Sequence, residues 1–221
     1  MNPIRSRAAW GLCALTTIIA TGTLIAEEAK PVTKENYTAP ENPGLAVGAA
    51  APDATLQTID GKDVELSSLW KDKPVIVTFY RGGWCPYCTK ALAEWQTRMD
   101  DVAEAGATFV AITPEKPTLI SKTAKEFDLG YTVLSDGNGD AQRAFLLQFT
   151  LDDATITKYK GYGIDLEESN VDGTWTLPSP ATFVIDTDGT VRWVFADWDY
   201  KKRADPDDVI AAVLALESAA D

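Results

Sequence analysis

The sequence predicts an α/β fold in which a central mixed sheet is flanked by helices. Residues 75–80 and 107–113 form apolar runs without polar alternation, as in strands buried on both faces of a sheet. A helical spacing of apolar residues follows each run. Later in the chain, two strand-like segments at 181–186 and 190–195 flank a Thr-Asp-Gly turn, which predicts an antiparallel hairpin.

Turn and capping residues mark where the other elements begin and end. Asp60-Gly61 is a tight-turn pair and predicts an N-terminal hairpin. Pro86 and Pro206 suit the first position of a helix, where a missing N–H has no cost, and Asp205 is a good N-cap. In chain order, the remaining predicted elements are a hairpin at residues 54–66, a helical turn at 67–70, a helix from Pro86, a helix at 117–127, a strand at 131–134, a helix from Ala141 and a helix from Pro206.

Residues 149–178 carry weaker signals. No hydrophobic period orders this segment, and only residues 165–169 indicate a helical turn. We therefore treat it as an insertion that precedes the last hairpin.

Composition excludes several kinds of function. The 221 residues include 33 acidic and 20 basic side chains, a net charge of −13, which disfavours nucleic acid and anionic membrane surfaces as partners. The chain contains no histidine, which removes Ser-His and Cys-His catalysis. Its three cysteines, without histidine, cannot supply a four-ligand structural zinc site. We expect no metal and no cofactor.

Residues 1–26 have the organisation of an export signal. Arg5 and Arg7 precede an uncharged, mostly apolar run, and Leu24-Ile25-Ala26 is a suitable cleavage site. The alternative is an uncleaved membrane anchor over residues 8–26, since the run is about long enough to span a bilayer. Its Ala, Thr and Gly content makes it only mildly hydrophobic, so we favour cleavage and a periplasmic or secreted protein.

The chain divides into a predicted signal, a linker and a domain. Cys13 lies inside the predicted signal and is lost with it. Residues 27–44 are polar, contain three prolines and predict a linker. Residues 45–221 form the predicted domain.

The stretch that organises the domain is residues 74–99. Arg81-Gly82-Gly83 ends the first buried strand, and Trp84-Cys85-Pro86-Tyr87-Cys88 leads into a helix. Two cysteines are thereby set at the positive end of a helix dipole, which stabilises the nucleophilic thiolate over the thiol. Thiol–disulfide chemistry is the predicted function. Cys85 precedes the helix and is expected to be exposed, whereas Cys88 begins its buried stripe.

These residues resemble a known superfamily. A Cys-Pro-Tyr-Cys motif after a buried strand, with Pro180 before a later strand, resembles the thioredoxin fold. The resemblance is closer to the peroxiredoxin-like branch, the alkyl hydroperoxide reductase/thiol-specific antioxidant family, and covers residues 45–216. The matching segments are Val47-Gly48, Ala51-Pro52-Asp53, Asp60-Gly61, Phe79-Tyr80, Leu134-Ser135-Asp136 and Phe183-Val184-Ile185-Asp186 with Gly189.

The resemblance implies roles for single residues. In the peroxiredoxin register Cys88 attacks the peroxide, Cys85 replaces a threonine, and Arg81 replaces a proline. The second active-site arginine of that family falls at Pro180, which a thioredoxin fold would make a cis-proline facing the cysteines. In the thioredoxin register Cys85 attacks and Cys88 resolves, as the helix-terminus argument also favours. We expect Cys88 to attack, because its register agrees with matches along the whole domain.

The other candidate residues keep two interpretations each. Arg81 either lowers the pKa of a thiol or is a solvated loop charge. Trp84 either contacts substrate or shields the turn. We expect Pro180 to be a functional, substrate-contacting cis-proline, although X–Pro bonds are trans by default.

Three functions fit the motif. A thiol-dependent peroxidase would reduce hydroperoxides through a Cys85–Cys88 disulfide, which an external dithiol such as a thioredoxin-like protein recycles. A protein-disulfide reductase of the export compartment is the alternative. A non-catalytic binding module is the weakest of the three. Overall similarity favours the peroxidase.

Overall fold

The computed structural model describes residues 37–217. The predicted signal, residues 1–26, and the first ten residues of the predicted linker lie outside the described part. Nine strands and seven helices occur in residues 37–217: β1 (Thr55–Gln57), β2 (Asp63–Glu65), β3 (Val75–Phe79), α1 (Pro86–Gln96), α2 (Met99–Glu104), β4 (Thr108–Thr113), α3 (Pro117–Glu126), β5 (Thr132–Ser135), α4 (Asp140–Ala144), β6 (Gln148–Thr150), α5 (Asp153–Gly161), α6 (Leu166–Ser169), β7 (Thr176–Pro178), β8 (Ala181–Ile185), β9 (Val191–Ala196) and α7 (Pro206–Glu217), with a 3₁₀ helix at Leu66–Trp70.

A seven-stranded mixed sheet forms the centre, in the order β2-β1-β5-β4-β3-β8-β9. Strands β3, β4 and β5 run parallel, with Val77 beside Val110 and Ala111 beside Val133. β8 pairs antiparallel with β3 and places Ala181 beside Phe79. The predicted mixed α/β sheet, its N-terminal hairpin and its last hairpin are thus confirmed.

Alternate residues of β3 pack on opposite faces of the sheet. Ile76 joins a core formed with α1, α2, α3 and α7, whereas Val75, Val77 and Phe79 join a second core on the other face. Phe79 is buried and contacts the ring of Phe145 at a centroid distance of 5.1 Å. Burying such a ring contributes about 1.5–3 kcal/mol. The uninterrupted apolar run at 75–80 is required because both faces are covered.

One predicted apolar stripe is divided between two helices. Cys88, Leu92 and Trp95 lie on the buried face of α1, but α1 ends at Gln96, and Met99 and Val102 belong to α2. The hydroxyl of Thr97 donates to the Glu94 carbonyl, a side-chain-to-backbone bond that competes with the helical ladder at that point.

The insertion at residues 149–178, most of whose elements could not be predicted from the sequence, has its own small core. β6 and β7 pair antiparallel, and α5 and α6 lie between them in the chain. Leu166, Trp175 and Leu177 are buried together in this unit. The helical turn expected at residues 165–169 is confirmed as α6.

Residues 37–44, the end of the predicted linker, lie against the domain. The Tyr37 hydroxyl donates to the Gln148 carbonyl at 2.8 Å, and the Gly44 N–H donates to the Leu146 carbonyl at 3.0 Å. Trp198 also donates its indole N–H to the carbonyl of Glu41. Within residues 37–217 we find no helix with the length and apolarity needed to cross a membrane.

Candidate active site

The loop between β3 and α1 positions both cysteines. The Tyr80 N–H donates to the Ile112 carbonyl, so the loop starts in register with the sheet. Gly82 has φ +153°, and a Cβ there would lie 2.3 Å from Trp84 Nε1. A Cβ on Gly83 would lie 2.0 Å from the Thr123 hydroxyl. Two glycines are therefore needed to bring the chain this close to Trp84 and α3.

Cys85 is the N-cap residue of α1, and Pro86 is its first residue, as the sequence predicted. Cys88 lies in the first helical turn, and both are free thiols. The expectation that Cys85 is exposed is wrong: its exposed fraction is 1%, and that of Cys88 is 0%. The reason is that Cys85 belongs to the same buried cluster as Tyr80 and Cys88, with the ring of Trp84 packed against it.

The two sulfurs have opposite electrostatic preferences. A hydrogen bond from the Cys88 side chain and the nearby charges of Arg81 and Arg203 lower the pKa of Cys85 to about 6. Burial, followed by the neighbouring Cys85, raises the pKa of Cys88 well above its usual value. These opposite shifts favour the thiolate form at Cys85 and the thiol form at Cys88. This favours Cys85 as the attacking sulfur, whereas the family register assigns attack to Cys88.

Arg81 is not a solvated loop charge, because only 2% of it is exposed. Its guanidinium lies 4.4 Å from the ring centroid of Tyr200, 5.0 Å from that of Trp84 and 5.6 Å from that of Tyr159. It also donates a hydrogen bond to the Tyr159 hydroxyl. Among residues 37–217 no carboxylate pairs with Arg81, and its Nε has no partner. The positive charge is thus stabilised by ring faces and stays available to the adjacent sulfur.

Trp84 and Pro180 border the same region. The Trp84 ring contacts Tyr159 edge-on at 5.7 Å, and its indole N–H is buried without a partner in the described residues. Pro180 is buried and directly precedes Ala181, which pairs with Phe79 at the end of β3, so it lies beside the start of the cysteine loop. The expected cis-proline is wrong: no peptide bond in residues 37–217 is cis. An X–Pro bond is trans by default, because the cis form is disfavoured by about 0.5–1 kcal/mol.

Sequence reasoning missed three further residues of the site. Arg203, in the segment before α7, donates from Nη2 to Cys88 Sγ at 3.2 Å. Tyr159 lies on α5, within the insertion. Glu115 follows β4, is 2% exposed, and accepts a hydrogen bond from the Gly83 N–H at 2.8 Å. Burial is the main cause that raises the pKa of Glu115 to about 7, and the Cys85 charge adds to it.

These three residues carried weak sequence signals. Arg203 follows two lysines and resembles a solvated charge run, and Tyr159 lies where periodicity fails. Of the three, only Glu115 could have been predicted from its position in the sequence. It follows a strand that runs parallel to the one that precedes the cysteines, so both strands end at the same edge of the sheet.

Fold and site together define a thioredoxin-like protein with a redox-type cysteine pair at the N-terminus of a helix. Comparison with known proteins gives the family. The sequence model of the AhpC/TSA family matches residues 47–194. The chain belongs to the AhpC/TSA family.

Curated relatives carry peroxiredoxin names. The chain is 31% identical over 151 residues to Peroxiredoxin Q, chloroplastic, of Gentiana triflora, an alignment that covers 68% of this chain and 59% of that protein. It is 28% identical over 161 residues to Peroxiredoxin Bcp of Escherichia coli strain K12, covering 73% and 92% of the two chains. The chain thus spans about three-fifths of the length of the Gentiana relative.

Solved structures agree with the fold. The structure of Peroxidoxin BcpB from Mycobacterium tuberculosis superposes with a TM-score of 0.61 at 25% identity, over 77% of this chain and 97% of that one. Peroxiredoxin Q of Xanthomonas campestris gives a TM-score of 0.58 at 19% identity, over 78% and 97%. The thioredoxin-like fold predicted from the cysteine motif is confirmed.

Proposed function

We propose that this protein is a thiol-dependent peroxidase that reduces hydroperoxides through Cys85 and Cys88. The observation that carries the proposal is the paired site itself: two free, buried thiols, with Cys85 as the N-cap residue of α1 and Cys88 in its first turn, where the helix dipole stabilises a thiolate. Membership of the AhpC/TSA family supports peroxide as the oxidant.

The reaction has two oxidative steps. The Cys85 thiolate attacks one peroxide oxygen, the O–O bond breaks, and the sulfur becomes a sulfenic acid while the alcohol or water leaves after taking up a proton. The Cys88 thiol then condenses with this sulfenic acid, forming the Cys85–Cys88 disulfide and releasing water. Cys85 is the attacking sulfur in this scheme because the thiolate is the nucleophile.

Substrate contacts are assigned to Arg81, Trp84 and Pro180. Arg81 Nε and Trp84 Nε1 are buried donors without partners in the described part of the chain, so each can donate to a peroxide oxygen. Pro180, buried beside the start of the loop, supplies an apolar wall.

An external dithiol, such as a thioredoxin-like protein, reduces the disulfide and completes the cycle. A protein-disulfide reductase remains the alternative, and the lowered pKa of Cys85 is the observation that favours it. The alternative lacks support from the relatives, whose names are those of peroxiredoxins. A binding module without catalysis leaves the paired cysteines unexplained.

The export of the protein is part of the proposal. The order of basic start, apolar run and small-residue site in residues 1–26 supports cleavage near Glu27 and a periplasmic or secreted location. An exported cysteine pair meets an oxidising compartment and therefore needs the dithiol partner. Intact-mass measurement of the protein from a membrane-free export fraction tests this: a mass that includes Met1, found in the membrane, contradicts it.

Stopped-flow kinetics test the reaction. The reduced protein is mixed with hydrogen peroxide, and in a parallel assay its reduction of insulin disulfides is followed. The proposal expects a rapid reaction with peroxide and a product that is two mass units lighter than the reduced protein. A protein that reduces insulin but is inert to peroxide is a reductase instead.

A further inference from the structure

Arg203 forms a direct hydrogen bond with one of the two sulfurs, that of Cys88. Its Nη2 donates to Cys88 Sγ at 3.2 Å, and its Nη1 donates to the backbone carbonyls of Tyr200 at 2.7 Å and Lys202 at 2.6 Å. No carboxylate in residues 37–217 forms an ion pair with it. Backbone carbonyls orient the guanidinium without neutralising it, so the sulfur is the one group with anionic chemistry that it touches.

The Cys88 side chain is shielded from bulk solvent. The residue is 0% exposed, and the small cavity beside it has a mixed lining that includes Leu92, Trp95 and Arg203. The titratable and charged side chains that interact with Cys88 are Cys85 at the start of α1, Arg203 before α7, and Tyr80 directly after β3, whose pKa Cys88 helps to raise. Arg203 is the cation among them.

We propose that Arg203 is a catalytic residue that stabilises Cys88 as a thiolate at the two steps in which this sulfur carries negative charge. This assignment rests on the proposed peroxidase cycle. In the first step, Cys88 attacks the sulfenic sulfur of Cys85, an S–S bond forms, and hydroxide leaves and is protonated to water. In the second, a reductant thiolate attacks Cys85 Sγ, the Cys85–Cys88 bond breaks, and Cys88 leaves with the electron pair.

The same contact fixes which sulfur the reductant attacks. Thiol–disulfide exchange is faster when the departing thiolate is more stable. With Arg203 beside Cys88, the departing sulfur is Cys88, and the mixed disulfide forms on Cys85. The second reductant thiol then displaces Cys85 as a thiolate. Of the two protons that the reductant dithiol brings, Cys88 takes up one and the other is released to solvent.

Kinetics separate this role from a structural one. At pH 8 the first phase after mixing with peroxide reports attack by Cys85, and the second reports disulfide formation. Arg203→Gln is expected to slow the second phase roughly ten- to hundredfold, the effect of a hydrogen bond to a charged group. Equal slowing of both phases would contradict the assignment.

The most direct test is the thiolate titration of Cys88. In a Cys85→Ser background, absorbance near 240 nm measures the ionisation of Cys88 without any catalytic turnover. Adding Arg203→Gln is expected to move the midpoint upward by roughly one to two pH units, and Arg203→Lys by less, because the charge is kept. Lys202→Gln is the matched control, since Lys202 pairs with Asp197 and not with the sulfur.

An unchanged midpoint in both Arg203 variants overturns the assignment. Because the titration needs no peroxide, a protein that shows the shift but does not react with peroxide retains this role for Arg203 and loses only the peroxidase proposal.

Discussion

The guanidinium of Arg81 donates a hydrogen bond to the hydroxyl of Tyr159, 78 residues further along the chain. The contact joins the cysteine loop to α5, which lies in the insertion at residues 149–178. Tyr159 also contacts Trp84 edge-on. The inserted segment is therefore part of the active-site wall, and its small core holds Tyr159 in place.

Removing the charge of Arg81 is expected to raise the pKa of Cys85. Arg81 is one of the causes that lower this pKa to about 6, so an Arg81→Gln protein loses thiolate between about pH 6 and pH 7 and reacts more slowly with peroxide there. Thiolate absorbance against pH measures the shift, and the pH–rate profile should move with it.

Two controls accompany Arg81→Gln. Arg81→Lys keeps the charge and should retain most of the thiolate at pH 6.5, whereas Arg192→Gln removes an exposed arginine that pairs with Asp186 and Asp188. If Arg81→Gln and wild type titrate together, the Arg81 charge has no electrostatic effect on the Cys85 thiol.

A Tyr159→Phe change tests the hydrogen bond while keeping the ring. One buried guanidinium N–H is left without an acceptor, so the free energy of unfolding should fall by about 1–3 kcal/mol. Urea denaturation measures it. Tyr162→Phe, at the exposed end of α5, is the matched control and should change the free energy by less than about 0.5 kcal/mol. Equal effects of both changes would show that the Arg81 contact adds nothing to stability.

Glu115 is expected to make stability depend on pH. Its pKa is about 7 in the folded chain against an ordinary value of 4.5, so the folded state binds the proton more tightly. The contribution of Glu115 to the free energy of unfolding is therefore largest below about pH 4.5, and it declines as the pH rises to about 7. Glu115→Gln removes this pH-dependent loss. The free energy of unfolding of the variant minus that of wild type should therefore increase by roughly 2–3 kcal/mol from pH 5 to pH 8.

Denaturation at the two pH values measures the Glu115 effect. Asp136, whose pKa burial raises to about 6, titrates in both proteins and cancels in the difference. Glu126 is an exposed carboxylate that lines one surface cavity together with Glu115, and Glu126→Gln should show no such pH dependence. A constant difference between wild type and Glu115→Gln would mean that Glu115 does not hold its proton more tightly after folding.

The strands and the cysteine helix were predictable because their signals are local. The run at residues 75–80 is apolar on both faces, and Pro86 marks the start of α1. The break after Gln96 was not predictable, because the apolar stripe continues through it. Residues 149–178 gave no period because α5 buries none of its residues fully, so its sequence lacks the apolar stripe of a core helix.

The site was predictable only where it is contiguous. Cys85, Cys88, Arg81 and Trp84 lie within eight residues, and the motif indicates their chemistry. Arg203 and Tyr159 reach the site through tertiary contacts over 115 and 78 residues, which no spacing rule reports. The burial of Cys85 was missed for the same reason, since residues from distant elements cover it.

Trapping the sulfenic acid tests the central claim, that Cys85 attacks peroxide and Cys88 resolves it. Each single Cys→Ser protein is reduced, treated with one equivalent of hydrogen peroxide in the presence of dimedone, and analysed by peptide mass spectrometry. The expected result is a dimedone adduct on Cys85 in the Cys88→Ser protein and little or none on Cys88 in the Cys85→Ser protein. A rapid adduct on Cys88 in the Cys85→Ser protein, with Cys85 unlabelled in the other variant, would contradict the account and restore the order implied by the family register.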